Sequence, residues 1–314
     1  MNNKLISQKN SALLISSVVI VMSFGVWVSV EAQVQKQPET TAAPTLKKAG
    51  RLELQNSGKP FKPEKLEESN KPIKKGTRGT IGRDDRLPML SNNYPWSTVG
   101  RIVGESNSQT YTCTGTLIDE DIVLTNAHCV VDPKTGQVAS RVAFLPNVVD
   151  GQYKDRAYAV QYLAGTHFQD KNSEANDWAV IKIDRPLGRK YGYLGWKSLP
   201  AKTLIRNEKR FFFVGYSGDY PQAETEKFWG LTAGQGWTAG FQAGCSIVDE
   251  QSNILLHDCD TAGGSSGGPI IASIDGEPYI VALNNAEIVD RRSGKGLINL
   301  AVNISFLDSL FGKK

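Results

Sequence analysis

Residues 261–269 read Thr-Ala-Gly-Gly-Ser-Ser-Gly-Gly-Pro, which places two serines among four glycines. Glycine lets a backbone turn sharply and adopt positive φ angles. Such a loop can present a hydroxyl while its own N–H groups point at an oxygen that develops negative charge. A run of this composition can also be an ordinary flexible loop. The strand pattern that follows, Pro-Ile-Ile-Ala-Ser-Ile from Pro269, anchors the loop and favours nucleophilic chemistry at a serine.

Two further strings hold groups that could activate such a serine. His128, one of three histidines, follows an apolar run and precedes Cys129, whose only upstream partner is Cys113. A disulfide between them would close a loop of about 15 residues, add about 3 kcal/mol of stability and fix the backbone that carries the imidazole. Asp177 stands at the start of the apolar run Trp-Ala-Val-Ile, where it can stay ionised and orient an imidazole. Taken singly, a packing histidine and a strand-capping aspartate are the alternatives.

The elements that must position these groups are short. From about residue 81, apolar runs alternate with Gly, Asn and Asp, which indicates an all-β sandwich or barrel. Residues 119–121, Asp-Glu-Asp, predict a hairpin, and Ser305 and Asp308 have the spacing of a capping box on a short C-terminal helix. The predicted strands are 116–118, 122–125, 142–145, 156–162, 178–183, 210–216, 228–232, 254–257, 269–274, 279–283 and 297–304.

Together, in the order His, Asp, Ser, these strings resemble the chymotrypsin-fold serine peptidases. The resemblance rests on Cys-Thr-Gly-Thr-Leu-Ile from Cys113, Thr-Asn-Ala-His-Cys up to Cys129 and Gly-Ser-Ser-Gly-Gly-Pro from Gly264. Ile-Gly-Arg-Asp-Asp-Arg from Ile81 and Val-Gly-Tyr-Ser-Gly-Asp from Val214 are similar to the bacterial glutamyl-endopeptidase (V8-like) branch. The likeness covers about residues 81–310. It implies two six-stranded antiparallel β-barrels with the active site between them and a short C-terminal helix.

The resemblance also implies a role for each residue. Ser266 would be the nucleophile, His128 the general base and then acid, and Asp177 the carboxylate that holds the imidazole. The backbone N–H groups of Gly264 and Ser266 would form the oxyanion hole. The reaction expected is peptide hydrolysis through an acyl-Ser266 intermediate.

Residues near the serine loop suggest alternative substrate specificities. Asp260, six residues before Ser266, could form the base of a pocket for Arg or Lys, and it could equally be hydrogen-bonded at a strand end. Thr261 lies where glutamate-preferring relatives use a hydroxyl. Those relatives also place a histidine on the strand after the nucleophile, where this chain has Asn284. We therefore expect Asp260, Thr261 and Asn284 to contact substrate, with a slight preference for basic residues before the cut.

Three segments are expected along the chain. Residues 1–32 combine Lys4 and Lys9 with an uncharged apolar run, which is typical of a signal peptide or, alternatively, of an N-terminal anchor. Residues 33–80 are rich in Pro, Lys, Glu, Ser and Thr, with Phe61 as the only aromatic, which predicts a disordered pro-segment or linker. Residues 81–314 form the peptidase domain. The protein is thus expected to be secreted or periplasmic, as a zymogen cut near residues 75–81.

One departure from the digestive peptidases affects that activation. Ser265 precedes the nucleophile, where those enzymes have an Asp that pairs with a newly cut N-terminus. Without a carboxylate there, we expect maturation to act differently, for example by unblocking the site.

Disulfides, cofactors and partners complete the expectations. Cys245 and Cys259 are expected to pair, with free thiols as the alternative. No metal-binding motif occurs in the sequence, and no cofactor is expected. Although the net charge is +4, Lys and Arg concentrate before residue 91 and leave the rest slightly acidic, which argues against nucleic acid as a partner. We expect a monomer that binds polypeptide substrates and meets a membrane only through an uncleaved N-terminal segment.

Two other functions compete with a peptidase. A peptidase-fold binding protein would keep the three residues but have a blocked or repurposed cleft. An esterase with the same triad is disfavoured because the serine loop is not a strand-elbow-helix of the G-x-S-x-G type.

Overall fold

The structure is a computed structural model that describes residues 43–56, 58–67, 84, 86–106, 109–169, 173–289 and 296–312. The expected export segment, residues 1–32, lies outside these ranges. Among the described residues, no helix is long and apolar enough to cross a bilayer.

Strands dominate the described part of the chain, and its four α-helices have four to seven residues each. The strands are β1 (Lys47–Lys48), β2 (Leu87–Pro88), β3 (Val99–Ser106), β4 (Gln109–Leu117), β5 (Ile122–Thr125), β6 (Arg141–Pro146), β7 (Ala157–Ala164), β8 (Ala179–Ile183), β9 (Gly195–Trp196), β10 (Phe211–Gly215), β11 (Gly240–Cys245), β12 (Ile247–Gln251), β13 (Ile254–His257), β14 (Pro269–Ile274), β15 (Glu277–Val289) and β16 (Gly296–Asn303). The helices are α1 (Gly188–Tyr191), α2 (Ala201–Arg206), α3 (Ala223–Trp229) and α4 (Ser305–Phe311), and 3₁₀ turns span Trp96–Thr98 and Ala127–Cys129.

The first half forms a closed six-stranded antiparallel barrel. The strand order is β7-β6-β3-β4-β5-β8, and β8 pairs with β7 to close the circle. Side chains alternate along each strand. On β5, for example, Val123 enters the barrel core, whereas Ile122 and Leu124 face the cluster shared with the second half.

The second half forms a sheet through β12-β13-β16-β15-β14-β10-β11-β2, with β9 on β15. Only Ser246 separates β11 from β12, so one continuous stretch pairs with β10 before Ser246 and with β13 after it. The path through these strands therefore returns on itself as a second barrel. The expected all-β architecture, with its short C-terminal helix, is confirmed.

Two local expectations are wrong. The predicted strand at 228–232 is instead the end of α3, because the helix formers upstream of Phe228 extend into it and Gly230 ends it in the left-handed conformation. The capping box of α4 does not form. Asp308 instead accepts a hydrogen bond from Trp196 Nε1, at 2.9 Å.

Residues 43–56 and 58–67 pack onto the barrels, and the segment 43–67 that contains them is called the belt segment below. Its side chains Leu46, Ala49 and Leu52 are buried, and β1 pairs in parallel with β7. The expectation of a disordered segment is therefore wrong for residues 43–56 and 58–67. The domain boundary at residue 81 and the removal of residues 33–80 stay predictions.

Candidate active site

His128 lies in the first barrel, on a turn held by the strand before it and by a disulfide after it. The buried strand β5 ends at Thr125, and a 3₁₀ turn follows over Ala127–Cys129. Cys129 is bonded to Cys113 on β4, as expected from the sequence. The amide of Val131 donates to Ala127 O at 2.8 Å, which closes the turn. The imidazole, about a quarter exposed, therefore stands on an anchored backbone.

Asp177 orients His128 with both carboxylate oxygens, one at the imidazole and one at the backbone amide. Its Oδ2 lies 2.7 Å from His128 Nδ1, and its Oδ1 accepts the backbone N–H of His128 at 2.9 Å. Asn126 Nδ2 donates to the backbone oxygen of Asp177 at 2.6 Å. Because a carboxylate only accepts, the neutral form of the ring carries its hydrogen on Nδ1 and its lone pair on Nε2. The pair is thus arranged to make Nε2 a base.

The serine loop between Cys259 and β14 is fixed by strand β4. Thr114 Oγ1 donates to Gly264 O at 3.0 Å, and the Thr114 amide donates to Ser266 O at 2.8 Å. Gly267 has φ +83°, and a Cβ there would lie 2.3 Å from Thr114 O and Thr125 Oγ1. Only glycine allows this close approach, so the loop is a rigid part of the fold.

The carbonyl groups of the loop turn inward. Gly263 O accepts from the amide of Gly218 at 2.7 Å, and Ser265 O accepts from Asn284 Nδ2 at 3.0 Å. In a trans peptide the N–H points opposite to the preceding C=O, so the amides of Gly264 and Ser266 point away from these inward contacts. Within the described residues neither amide has a hydrogen-bond partner. Two free donors beside a serine are what an oxyanion hole requires.

The hydroxyl of Ser266 donates to the backbone oxygen of Asn285 at 3.0 Å. Across the described chain, no hydrogen bond joins it to His128. Ser266, His128 and Asp177 nevertheless line one cleft of about 400 Å³. The structure therefore brings the three sequence-predicted residues together, with the hydroxyl in a resting orientation.

Of the expected substrate contacts, only two border this cleft. Thr261 and Asn284 line it, whereas Asp260 is buried outside the lining. The Asp260 amide donates to Gln242 Oε1. The cleft walls instead bring the carboxylates Glu174 and Glu287 towards the active site. A role for Asp260, Thr261 or Asn284 in binding substrate stays a prediction.

Asn284 has a second role, which the sequence did not suggest. It is 2% exposed, and its Nδ2 contacts both Ser265 O and Ser265 Oγ, the latter at 3.2 Å. Its Oδ1 lies 3.1 Å from Nε2 of the fully buried His257, which must be the donor. Burial lowers the pKa of His257 to about 4, so the ring is neutral at ordinary pH. In the sequence, the only hint of this role is that Asn284 and Asn285 interrupt an apolar strand. Two polar residues in such a strand indicate buried hydrogen bonds but do not identify their partners.

Among the described residues, one group of sulfur and imidazole side chains lies close enough together to suggest a metal site, but its chemistry does not fit one. Cys113, His128 and Cys129 lie close together, but both cysteines are in a disulfide and offer no thiolate. Cys245 and Cys259 are also bonded, which ties β11 to the segment before the serine loop.

Comparison with known proteins is consistent with this geometry. The family described as "Trypsin-like peptidase domain" matches residues 113–283. Rat "Serine protease 23" is 28% identical over 261 residues, or 73% of this chain and 61% of that protein. The "Glutamyl endopeptidase" of Bacillus licheniformis is 26% identical over 195 residues, or 62% of this chain and 54% of that protein. These matches span about three fifths of those curated relatives or less.

Solved structures show the same fold. A Glu endopeptidase in complex with MPD aligns with a TM-score of 0.56 and 21% identity, over 72% of this chain and 95% of that one. The protease Anisep from Arthrobacter nicotinovorans aligns with a TM-score of 0.53 and 17% identity, over 70% of this chain and 97% of that one. The family match covers more than half of this chain, and the chain therefore belongs to the trypsin-like peptidase family.

Proposed function

We propose that the protein is a serine endopeptidase in which Ser266, His128 and Asp177 act together. The observation that carries the proposal is the combination, in one cleft, of an imidazole oriented by a carboxylate and a serine flanked by two free amides. The expected substrate is a polypeptide, since the cleft is open at the surface and bordered by strand β15.

The first half-reaction is acylation. Ser266 Oγ attacks the carbonyl carbon of the peptide bond while His128 Nε2 takes the hydroxyl proton. The oxygen of the attacked carbonyl becomes negative and accepts hydrogen bonds from the N–H groups of Gly264 and Ser266. When the C–N bond breaks, His128 passes the proton to the leaving amine, and the acyl group stays on Ser266.

The second half-reaction releases the acyl group. Water enters where the amine left, gives its proton to His128 Nε2 and attacks the acyl carbon. The proton then returns to Ser266 Oγ as the carboxylic acid departs. Throughout, Asp177 keeps the hydrogen on Nδ1 and stabilises the imidazolium that forms in each step.

For acylation the serine must change its hydrogen bond. The hydroxyl that donates to Asn285 O has to turn towards His128 Nε2 before it can give up its proton. Catalytic hydrogen bonds often form only once substrate is bound.

We propose a preference for basic residues near the cut, on grounds other than Asp260. Glu174, Asp177 and Glu287 line the cleft, and no Lys or Arg is among the described residues that line it. A negative cleft attracts a cationic side chain and repels an acidic one. The name of the Bacillus relative points to glutamate instead, so peptides that differ only in Arg, Lys or Glu before the cut distinguish these alternatives.

The mature form is proposed to act outside the cytoplasm as a monomer. Two disulfides fit an oxidising compartment. N-terminal sequencing of the protein from culture fluid and periplasm tests the proposed export and any cut near residues 75–81.

Labelling by a fluorophosphonate tests the enzymatic function. This probe forms a covalent bond only with a serine that a base activates. We expect one label per chain on Ser266 and none in Ser266→Ala, with hydrolysis of a mixed peptide library lost in the same variant. A folded, oxidised protein that takes no label and cuts no peptide would favour the binding-protein alternative.

A further inference from the structure

The belt segment, residues 43–67, is built into the peptidase fold. We propose that it is a structural chain that stays bound in the mature protein, where a discarded pro-segment was expected. Hydrolysis of a peptide bond within residues 68–83, where Lys71, Lys74, Lys75 and Arg78 cluster, would then give two chains held together without a covalent link. The proposal concerns folding and does not depend on the proposed catalytic activity.

The first support is the apolar core. Leu46 is part of the core of the first barrel, and Ala49 and Leu52 belong to the cluster between the barrels. Leu52 is only 3% exposed. These side chains fill space that would otherwise be open to water, so removing the segment would leave cavities in two cores.

The second support is reciprocal backbone pairing, in which the domain's amides depend on the segment as much as the reverse. Phe61 and Tyr193 exchange two N–H···O bonds of 3.0 Å, and their rings stack at 5.1 Å. The amide of Trp196 donates to Gly58 O at 3.1 Å, and that of Tyr94 donates to Glu67 O at 3.1 Å.

The third support is the absence of side chains where the segment crosses the domain. A Cβ on Gly195 would lie 2.3 Å from Gly58 O, and one on Gly192 would lie 2.7 Å from Phe61 O. Gly192 also has φ +77°. The domain sequence therefore leaves room for this backbone.

A buried carboxylate forms the fourth contact. Asp119 Oδ2 accepts the amide of Asn56 at 3.0 Å, and Asn56 Nδ2 donates to the hydroxyl of Tyr193 at 2.8 Å. Burial raises the pKa of Asp119, and amide donors from the segment oppose that shift. The segment thus provides polar partners inside the domain.

The location of these contacts argues against inhibition. The domain residues that the segment binds, Tyr94, Asp119, Tyr162, Tyr193 and Trp196, do not line the cleft that holds Ser266. No described residue of the segment lines that cleft either. The segment can remain bound while substrate enters.

A controlled cut tests the proposal. A recognition sequence for a site-specific viral protease is inserted between Lys74 and Lys75 in the full chain carrying Ser266→Ala, and the purified protein is cut. We expect both fragments to co-elute in equal amounts on gel filtration and to separate in denaturant. Release of the N-terminal fragment under native conditions, with or without unfolding of the remainder, overturns the proposal.

Variants locate the binding energy. Leu52→Asp places a charge in the core and should release at least tenfold more fragment after the cut. The control Lys48→Asp places the same side chain at an exposed position of β1 and should retain the fragment. Equal release from the two variants would contradict the assigned contacts. A secreted mature protein that contains no peptide from 43–67 would also overturn the proposal.

Discussion

The belt segment and the serine loop have compositions that both suggest flexibility, and the fold orders them by different means. The described residues of the belt segment are held at several points by buried apolar side chains and paired backbone groups. The loop is held by bonds from Thr114, Gly218 and Asn284 to its carbonyl oxygens, and the Gly267 amide donates to Asn284 O at 2.9 Å. The amides of Gly264 and Ser266 have no partner among the described residues. Side chains and backbone groups together order the belt segment, whereas the bonds that order the loop leave two amides available for the proposed chemistry.

This contrast separates stability from catalysis. A substitution where the domain contacts the belt segment should lower the free energy of unfolding and leave the turnover of the folded enzyme unchanged. A change in the loop that displaces one of the two amides should lower the turnover of the folded enzyme as well. Glycines at both places give tests with a control, because nothing lies within 4 Å of a Cβ added at Gly263, beside Gly264, or at Gly50, in the belt segment.

The largest effect is expected for Gly264→Ala. This residue has φ +99°, and a Cβ would lie 2.6 Å from Tyr216 O, so the loop must shift and its amide leaves the oxyanion hole. Loss of one such donor lowers turnover by about 10²–10³-fold. Peptide hydrolysis measures kcat/KM of the folded protein, and urea unfolding measures the cost of the strained backbone, which we expect to be about 1–3 kcal/mol. For the control, Gly263→Ala, no atom lies within 4 Å of the added Cβ, and a loss of similar size there would contradict the explanation.

Gly195→Ala should disturb the contact between the domain and the belt segment and so lower stability without lowering turnover. The new Cβ meets the backbone oxygen of Gly58 at 2.3 Å, which no side-chain movement relieves. We expect a loss of about 3 kcal/mol in the free energy of unfolding, with kcat/KM of the folded fraction retained. Gly50→Ala is the control within the segment, since nothing lies within 4 Å of its added Cβ. A fall in kcat/KM equal to that of Gly264→Ala would show that the two regions are not separable.

The same contrast explains what could be predicted from sequence. The serine loop, His128 and Cys113–Cys129 are recognisable because each motif is short, and the strands between them follow from alternation. The belt segment's partners, such as Tyr162 and Tyr193, lie more than a hundred residues along the chain, so composition alone indicated disorder. The support of Ser265 by Asn284 and His257 was missed for the same reason, since tertiary packing determines it.

His257 is a titratable group that contacts the serine loop through Asn284, so stability should depend on pH. Its folded pKa of about 4 lies below that of an unfolded histidine, about 6.5, so between these values the unfolded chain binds more protons. Stability is therefore lost as the pH falls through this window, by about 2 kcal/mol at pH 5. Urea unfolding at pH 7, 6 and 5 should show this slope in the wild type and a flatter one in His257→Gln, which keeps a donor towards Asn284. Identical slopes would exclude His257 as the cause.

The smallest effect is expected at the cleft wall, where charge acts without fixing any backbone. Glu287→Gln removes an exposed carboxylate from the cleft, and a single exposed charge contributes up to about 1 kcal/mol, or about fivefold in rate. We expect kcat/KM to fall about threefold to fivefold for a peptide with Arg before the cut and to rise for its Glu counterpart, with a smaller difference in high salt. Glu277→Gln removes the same charge from the exposed start of the same strand and should change neither. If the Arg and Glu peptides respond alike to Glu287→Gln, the charge of the cleft wall does not select the substrate. Any preference between the two peptides must then come from direct contacts of the substrate with the ordered part of the site.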